Sequence, residues 1–240
     1  MTPDAERDLN QLRAAVGEYR AAATAAGLDW PAAGAAAPRP HTDGTRRLLA
    51  VDRIGEQPLW LHSQGWRDRR LLPNGGWLPP WPPDPSETLD ILGLSTGTPF
   101  PWRAQLPLFH FGFVVFTYVL DEGPYEGEVW RYEIAPDAYD AVRAAPNLSA
   151  LFAQWTRGIT EHVIRHDETN DWLAVDDEAL LQLAPTLDPF AFPVSVAAHP
   201  LLRERQRACG VDLDSVDRGF DSQEELWEEI DAVRKELGLP

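Results

Sequence analysis

The sequence predicts an α+β fold: a mainly antiparallel sheet with an N-terminal helix and several C-terminal helices packed against it. Three observations carry this reading. Residues 104–120 form an uncharged run rich in aromatic and β-branched residues, a composition that favours extended structure. In "EVWRYEI", Trp130, Tyr132 and Ile134 alternate with Arg131 and Glu133, which marks a half-buried strand. Beyond position 147 the period changes, and Leu148, Leu151, Phe152, Trp155 and Ile159 fall on one helical face. At 240 residues and 44% hydrophobic content, the chain is long enough to bury a sizeable core.

Each element has its own warrant. Thr2 and Pro3 read as a helix start, and Leu9, Leu12, Val16, Tyr19 and Ala23 give that helix its apolar stripe. "GLDWPAAGAAAPRPHTDG" (27–44) reads as a low-complexity linker. "RRLLAVDRI", "PLWLHS" and "RRLLPNGGWLP" look like short strands, the last folded about Asn74-Gly75. "PPWPPDP" (79–85) suits a rigid connector over the core, and Ser86 starts a helical turn that ends near Gly93. Residues 109–120 are expected as one central strand, paired antiparallel with 129–134 across the turn-rich "DEGPYEG". Pro136 is expected to open a helix through Ala145, and Asn147 to cap the next one. Shorter helices follow in "AVDDEALLQLAP" and "HPLLRERQRACG". The last helix is expected to start at a Ser222/Glu225 capping box and to stop at Gly238. The whole reads as a single domain: helix 1–26, linker 27–44, core 45–165 and a helical C-terminal extension, 186–240.

Charge and composition exclude several roles. A formal net charge of −17 repels nucleic-acid phosphates and attracts a basic partner. The uncharged run is shorter than the roughly 20 residues of a membrane-spanning helix, and Pro107, His110 and Gly112 interrupt it. A single cysteine, Cys209, rules out an internal disulfide framework and suits a reducing compartment. "MTPDAERDLNQL" has no apolar segment of the kind a signal peptide needs, so the expected location is the cytoplasm.

The catalytic motifs are weak. "GLSTG" (93–97) matches G-x-S-x-G around Ser95, but "TPFPW" follows where a nucleophile elbow needs a helix. His162 and His166 stand four apart near an expected helix end, a spacing that zinc sites use, but no third ligand is apparent. His110, between two phenylalanines, reads as a core histidine, and Cys209, in a last helical turn, as an inert thiol. No catalytic residue, cofactor or metal is expected. Acidity is the remaining signal: Asp121, Glu122, Glu126, Glu128, Glu133, Asp137 and Asp140 face Arg131 alone between 121 and 140. Asp121, Glu122, Tyr125, Glu126 and Glu128 at the hairpin tip are therefore the expected partner-binding residues, carboxylates around an aromatic anchor.

"LPLFHFGFVVFTYVL", "GEVWRY" and "NLSALFAQWTRGI", within residues 100–165, together resemble the core of the SUKH superfamily. That superfamily includes the yeast cell-wall-synthesis regulator and many bacterial immunity proteins. The resemblance implies an α+β fold, no catalysis and a binding role, commonly neutralisation of a cognate toxin. A basic toxin would suit the acidic balance. The alternatives are an adaptor for an endogenous partner, a hydrolase using Ser95, or a metal enzyme using His162 and His166.

Overall fold

The computed structural model describes residues 3–30, 42–64, 66, 68–120, 123–135, 139–182 and 186–239. Thr2, residues 31–41 of the linker, and Asp121 and Glu122 lie outside that set. The fold is α+β, with a helix first, a four-stranded antiparallel sheet next and further helices after it.

α1 (Pro3–Ala25) buries the predicted stripe of Leu9, Leu12, Val16, Tyr19 and Ala23. The strands expected between 46 and 79 do not form. The chain instead makes α2 (Asp43–Leu49), α3 (Glu56–Ser63) and a single 3-10 turn at Arg69–Leu71. Runs this short do not let either period decide, so end chemistry does. α2 has Asp43 in its first turn, Arg46 and Arg47 in its last, and Ala50 at φ 52° to close it. α3 carries Glu56 and Pro58 near its start, where a missing N–H removes no helical bond. Asn74 and Gly75 do turn the chain, at φ 50° and 66°, but around them only single bridges form, Pro73 to Leu173 and Trp77 to His110. α4 (Pro85–Leu92) is capped by Asp84, not Ser86: the Glu87 N–H donates to Asp84 Oδ1 at 2.9 Å.

The sheet has the order β1 (Gln105–Phe111), β2 (Val114–Val119), β3 (Val129–Glu133), β4 (Val142–Ala145). The expected single strand over 109–120 is thus a hairpin. Phe111 pairs with Val114, and Gly112 at φ 69° opens the two-residue turn between them. The predicted partner is right: β2 runs antiparallel to β3, from Val114–Glu133 to Tyr118–Val129. The helix expected over 136–145 is a second correction. Its described end is β4, whose Val142, Ala144 and Ala145 are buried beside β3. Alanine's helix preference there yields to the ladder and to burial.

α5 (Leu148–Thr160) is capped by Asn147 and buries every residue of its predicted stripe. Its Trp155 ring lies 5.4, 5.8 and 6.3 Å from Phe109, Phe111 and Phe116, so α5 covers one face of the sheet. α1 packs along α5, and Tyr19 meets Phe152 at 5.5 Å. A hairpin of β5 (Ile164–Asp167) and β6 (Trp172–Val175) follows, which the sequence did not announce. α6 (Asp177–Gln182), α7 (Leu202–Ala208), α8 (Leu213–Arg218) and α9 (Phe220–Leu237) complete the chain. α9 starts after Gly219, so Ser222 sits inside it and is buried, while Gly238 closes it at φ 67°. This C-terminal helix is packed in: Trp102 Nε1 donates to Glu229 at 2.8 Å, and a Cβ on Gly93 would collide with the Trp227 ring. Among the described residues, no helix is long and apolar enough to cross a membrane.

Candidate functional site

A cleft of about 790 Å³ opens where four separate stretches meet: the start of α1, residues 53–57, the turn at 123–127 and the start of α5. Asp4 and Asp8 reach it from the first turns of α1, and Glu56 from the first turn of α3. Glu126 reaches it from the turn, whose shape relies on Gly123 at φ 51° and Gly127 at φ 90°. Among the described residues the one cation lining this cleft is Arg53, which donates to Glu126 Oε1 at 2.8 Å. Arg7 stands outside the lining and meets Asp4 at 2.9 Å. Both pairs are exposed, so each contributes at most about 1 kcal/mol and leaves the cleft negative.

Tyr118 contributes a different group. Alternation along β2 sets it on the face of Phe116, toward α5, and only 6% of it is exposed. Its hydroxyl ends between two lining glycines, 3.9 Å from where a Gly55 Cβ would stand and 3.6 Å from that of Gly127. Among the described residues this hydroxyl has no hydrogen-bond partner. Burial raises its pKa above the usual phenol range, and the charges of Glu126 and Asp8 push the same way. The phenol therefore stays protonated, able both to donate and to accept.

The expected hairpin-tip residues do not act as a unit. Asp121 and Glu122 lie outside the described residues. Tyr125 is half-buried, its ring 5.7 Å from Phe100, so it packs inward. Glu128 is buried, accepting from Trp130 Nε1 at 2.9 Å and from Arg143 Nη1 at 2.7 Å, which corrects its reading as a rim carboxylate. Glu126 alone of the three described ones stands exposed in the cleft. Asp4, Asp8, Arg53, Glu56 and Tyr118 were not anticipated, because only the tertiary fold brings them together.

A second charged cluster is buried. Arg131 Nη1 and Nη2 donate to the carbonyls of Phe192 and Val194 at 2.9 and 2.7 Å, and Nη2 also meets Glu133 Oε1 at 3.1 Å. Glu133 further accepts from Ser195 Oγ at 2.9 Å and the Val196 N–H at 2.5 Å. Asp140 Oδ1 accepts from the Glu133 N–H at 3.0 Å, but Oδ2 has no hydrogen bond and lies 4.0 Å from Arg131. One cation cannot neutralise two buried carboxylates. The less solvated one takes the proton: burial pushes Asp140 up to about 7. The cluster fastens residues 192–196 onto β3.

None of the other candidates lines this cleft. Ser95 follows α4, where an elbow would precede a helix, and its buried Oγ donates to the Leu92 carbonyl at 2.6 Å. His162 lies beyond the end of α5 at φ 60°, while His166 is on β5 with Nε2 3.1 Å from Asp171 Oδ1. They share no helical face. No group of three or more metal-binding side chains occurs among the described residues. His110 is buried against Trp77, and burial pulls its pKa down to about 4. Cys209 is buried, with its thiol pKa pushed up.

Compared with protein-family models, curated proteins and solved structures, the chain matches none.

Proposed function

We propose that the chain is a non-catalytic protein-binding module of SUKH type, working in the cytoplasm, whose cleft captures a basic protein partner. In an immunity role that partner is the cognate toxin. The observation that carries the reading is the cleft itself, where among the described residues Asp4, Asp8, Glu56 and Glu126 face Arg53 alone, in a chain of net charge −17. Such a field speeds the capture of a positive surface more than it deepens affinity.

Co-expression with the product of the adjacent gene supplies the partner, and association rates at several salt concentrations supply the test. The Asp8→Lys, Glu126→Lys double variant should associate about ten-fold more slowly, with a flatter salt dependence. Both side chains are exposed, so circular dichroism should be unchanged. An unchanged rate and an unchanged salt slope would sink the proposal. Reversal of Glu128 is avoided because it would strand Arg143 and Trp130 Nε1.

A further inference from the structure

The carboxylates explain attraction but not the hydroxyl of Tyr118, a polar group at the cleft with no hydrogen-bond partner among the described residues. Its ring is buried while the hydroxyl meets the cleft between two glycines, so a guest there finds one fixed group able to donate and to accept.

A second observation points the same way. Three helices begin at this cleft: α1 at Asp4 and Ala5, α3 at Gly55 and Glu56, and α5 at Asn147 and Ser149. Helix starts present backbone N–H groups and a partial positive charge. α3 has no side-chain cap, since its N-cap is Gly55. The α5 start is partly served by Asn147 Oδ1, which accepts from the Ala150 N–H at 2.8 Å. The lining is therefore of two kinds. Asp8 and Glu126 suit a cation, while the helix starts and the Tyr118 hydroxyl suit neutral acceptors such as amide carbonyls. Gly55 and Gly127 flank that hydroxyl without side chains, so a backbone can approach it closely.

We infer that the cleft takes an extended backbone segment of its basic partner: a cationic side chain lies against Asp8 and Glu126, and adjacent carbonyls accept from the Tyr118 hydroxyl and the Gln57 and Ser149 N–H groups. Arg53 on Glu126 shows that a guanidinium fits there. At about 790 Å³ the space holds several residues, far more than one side chain. This inference rests on the reading of the cleft as the seat of a basic partner.

The test uses the full chain and three probes: a capped pentapeptide with a central arginine between glycines, the same peptide with a central glutamate, and ethylguanidinium ion. Amide chemical shifts are followed as each is titrated. The arginine peptide should shift the amides of Gln57 and Ser149, whereas ethylguanidinium should shift only those around Asp8 and Glu126. Tyr118→Phe keeps the ring and the fold, verified from its amide spectrum. It should weaken the arginine peptide about five-fold and leave ethylguanidinium unchanged. If peptide and ion bind equally, or if Tyr118→Phe affects both or neither, the backbone-reading inference falls while the acidic reading stands. If neither cation shifts the cleft at millimolar concentration, or the glutamate peptide binds better, both fall.

Discussion

Arg131 is the costliest residue of the fold to place, a guanidinium with no exposure set against Phe116 and closed in by Glu133, Asp140 and two carbonyls. Arg131→Ala would leave Glu133 and the 192–196 carbonyls unserved in the interior. It should lower the unfolding free energy by about 3–5 kcal/mol in urea denaturation. A loss under about 1 kcal/mol would mean that water reaches the cluster. The same site gives stability a pH dependence. Asp140, raised to about 7, holds a proton in the folded chain that the unfolded chain releases, so its contribution is complete below the ordinary carboxylate range and is lost as pH rises toward 7. His62 and His110, lowered to about 4, act oppositely. Their contribution is present above the ordinary imidazole range and is lost as pH falls toward 4. Below about pH 6.5 the two imidazoles outweigh the single carboxyl, and above it the carboxyl acts alone. Stability should therefore peak near pH 6 to 7, and Asp140→Asn should abolish the decline on the alkaline side. A variant that declines as the parent does would refute the assignment of the proton to Asp140.

Elements differ in how much of themselves they write into sequence. α1 and α5 were legible because their apolar stripes run over several turns, and because Asn147 is followed at once by that stripe. α2, α3 and β4 were not, being four to eight residues long, a length at which neighbours overrule propensity. The β1–β2 hairpin could have been read: Gly112 interrupts the run where a two-residue turn must start. Two solid apolar faces masked that break. Within α5, packing and capping should separate cleanly. Trp155→Ala, which empties the aromatic cluster over the sheet, should cost about 3–5 kcal/mol. Asn147→Ala should cost about 1 kcal/mol. If thermal unfolding ranks them in reverse order, the stripe is not what holds α5.

At the scale of the whole molecule, the sequence disclosed the sign of the field but not where it is shaped. The acids near 121–140 looked like a single patch, yet Glu128, Glu133 and Asp140 are consumed internally. The cleft draws its acids instead from Asp4, Asp8, Glu56 and Glu126, a set that no contiguous stretch contains. A net charge of −17 also repels itself in the compact state. Added salt in the physiological range should thus raise the melting temperature by screening that repulsion. A melting temperature that falls with salt would show the surface ion pairs to dominate.

Because four distant stretches of chain build the cleft, it exists only when the chain is folded. A guest seated there serves as a clasp, closing the first helix, the sheet end and the fifth helix onto one another. Mass action fixes its strength: at a free concentration one hundred times Kd the clasped chain gains about 2.7 kcal/mol. The molecule's lifetime against proteolysis would then track the supply of its guest, long while bound and short once deserted.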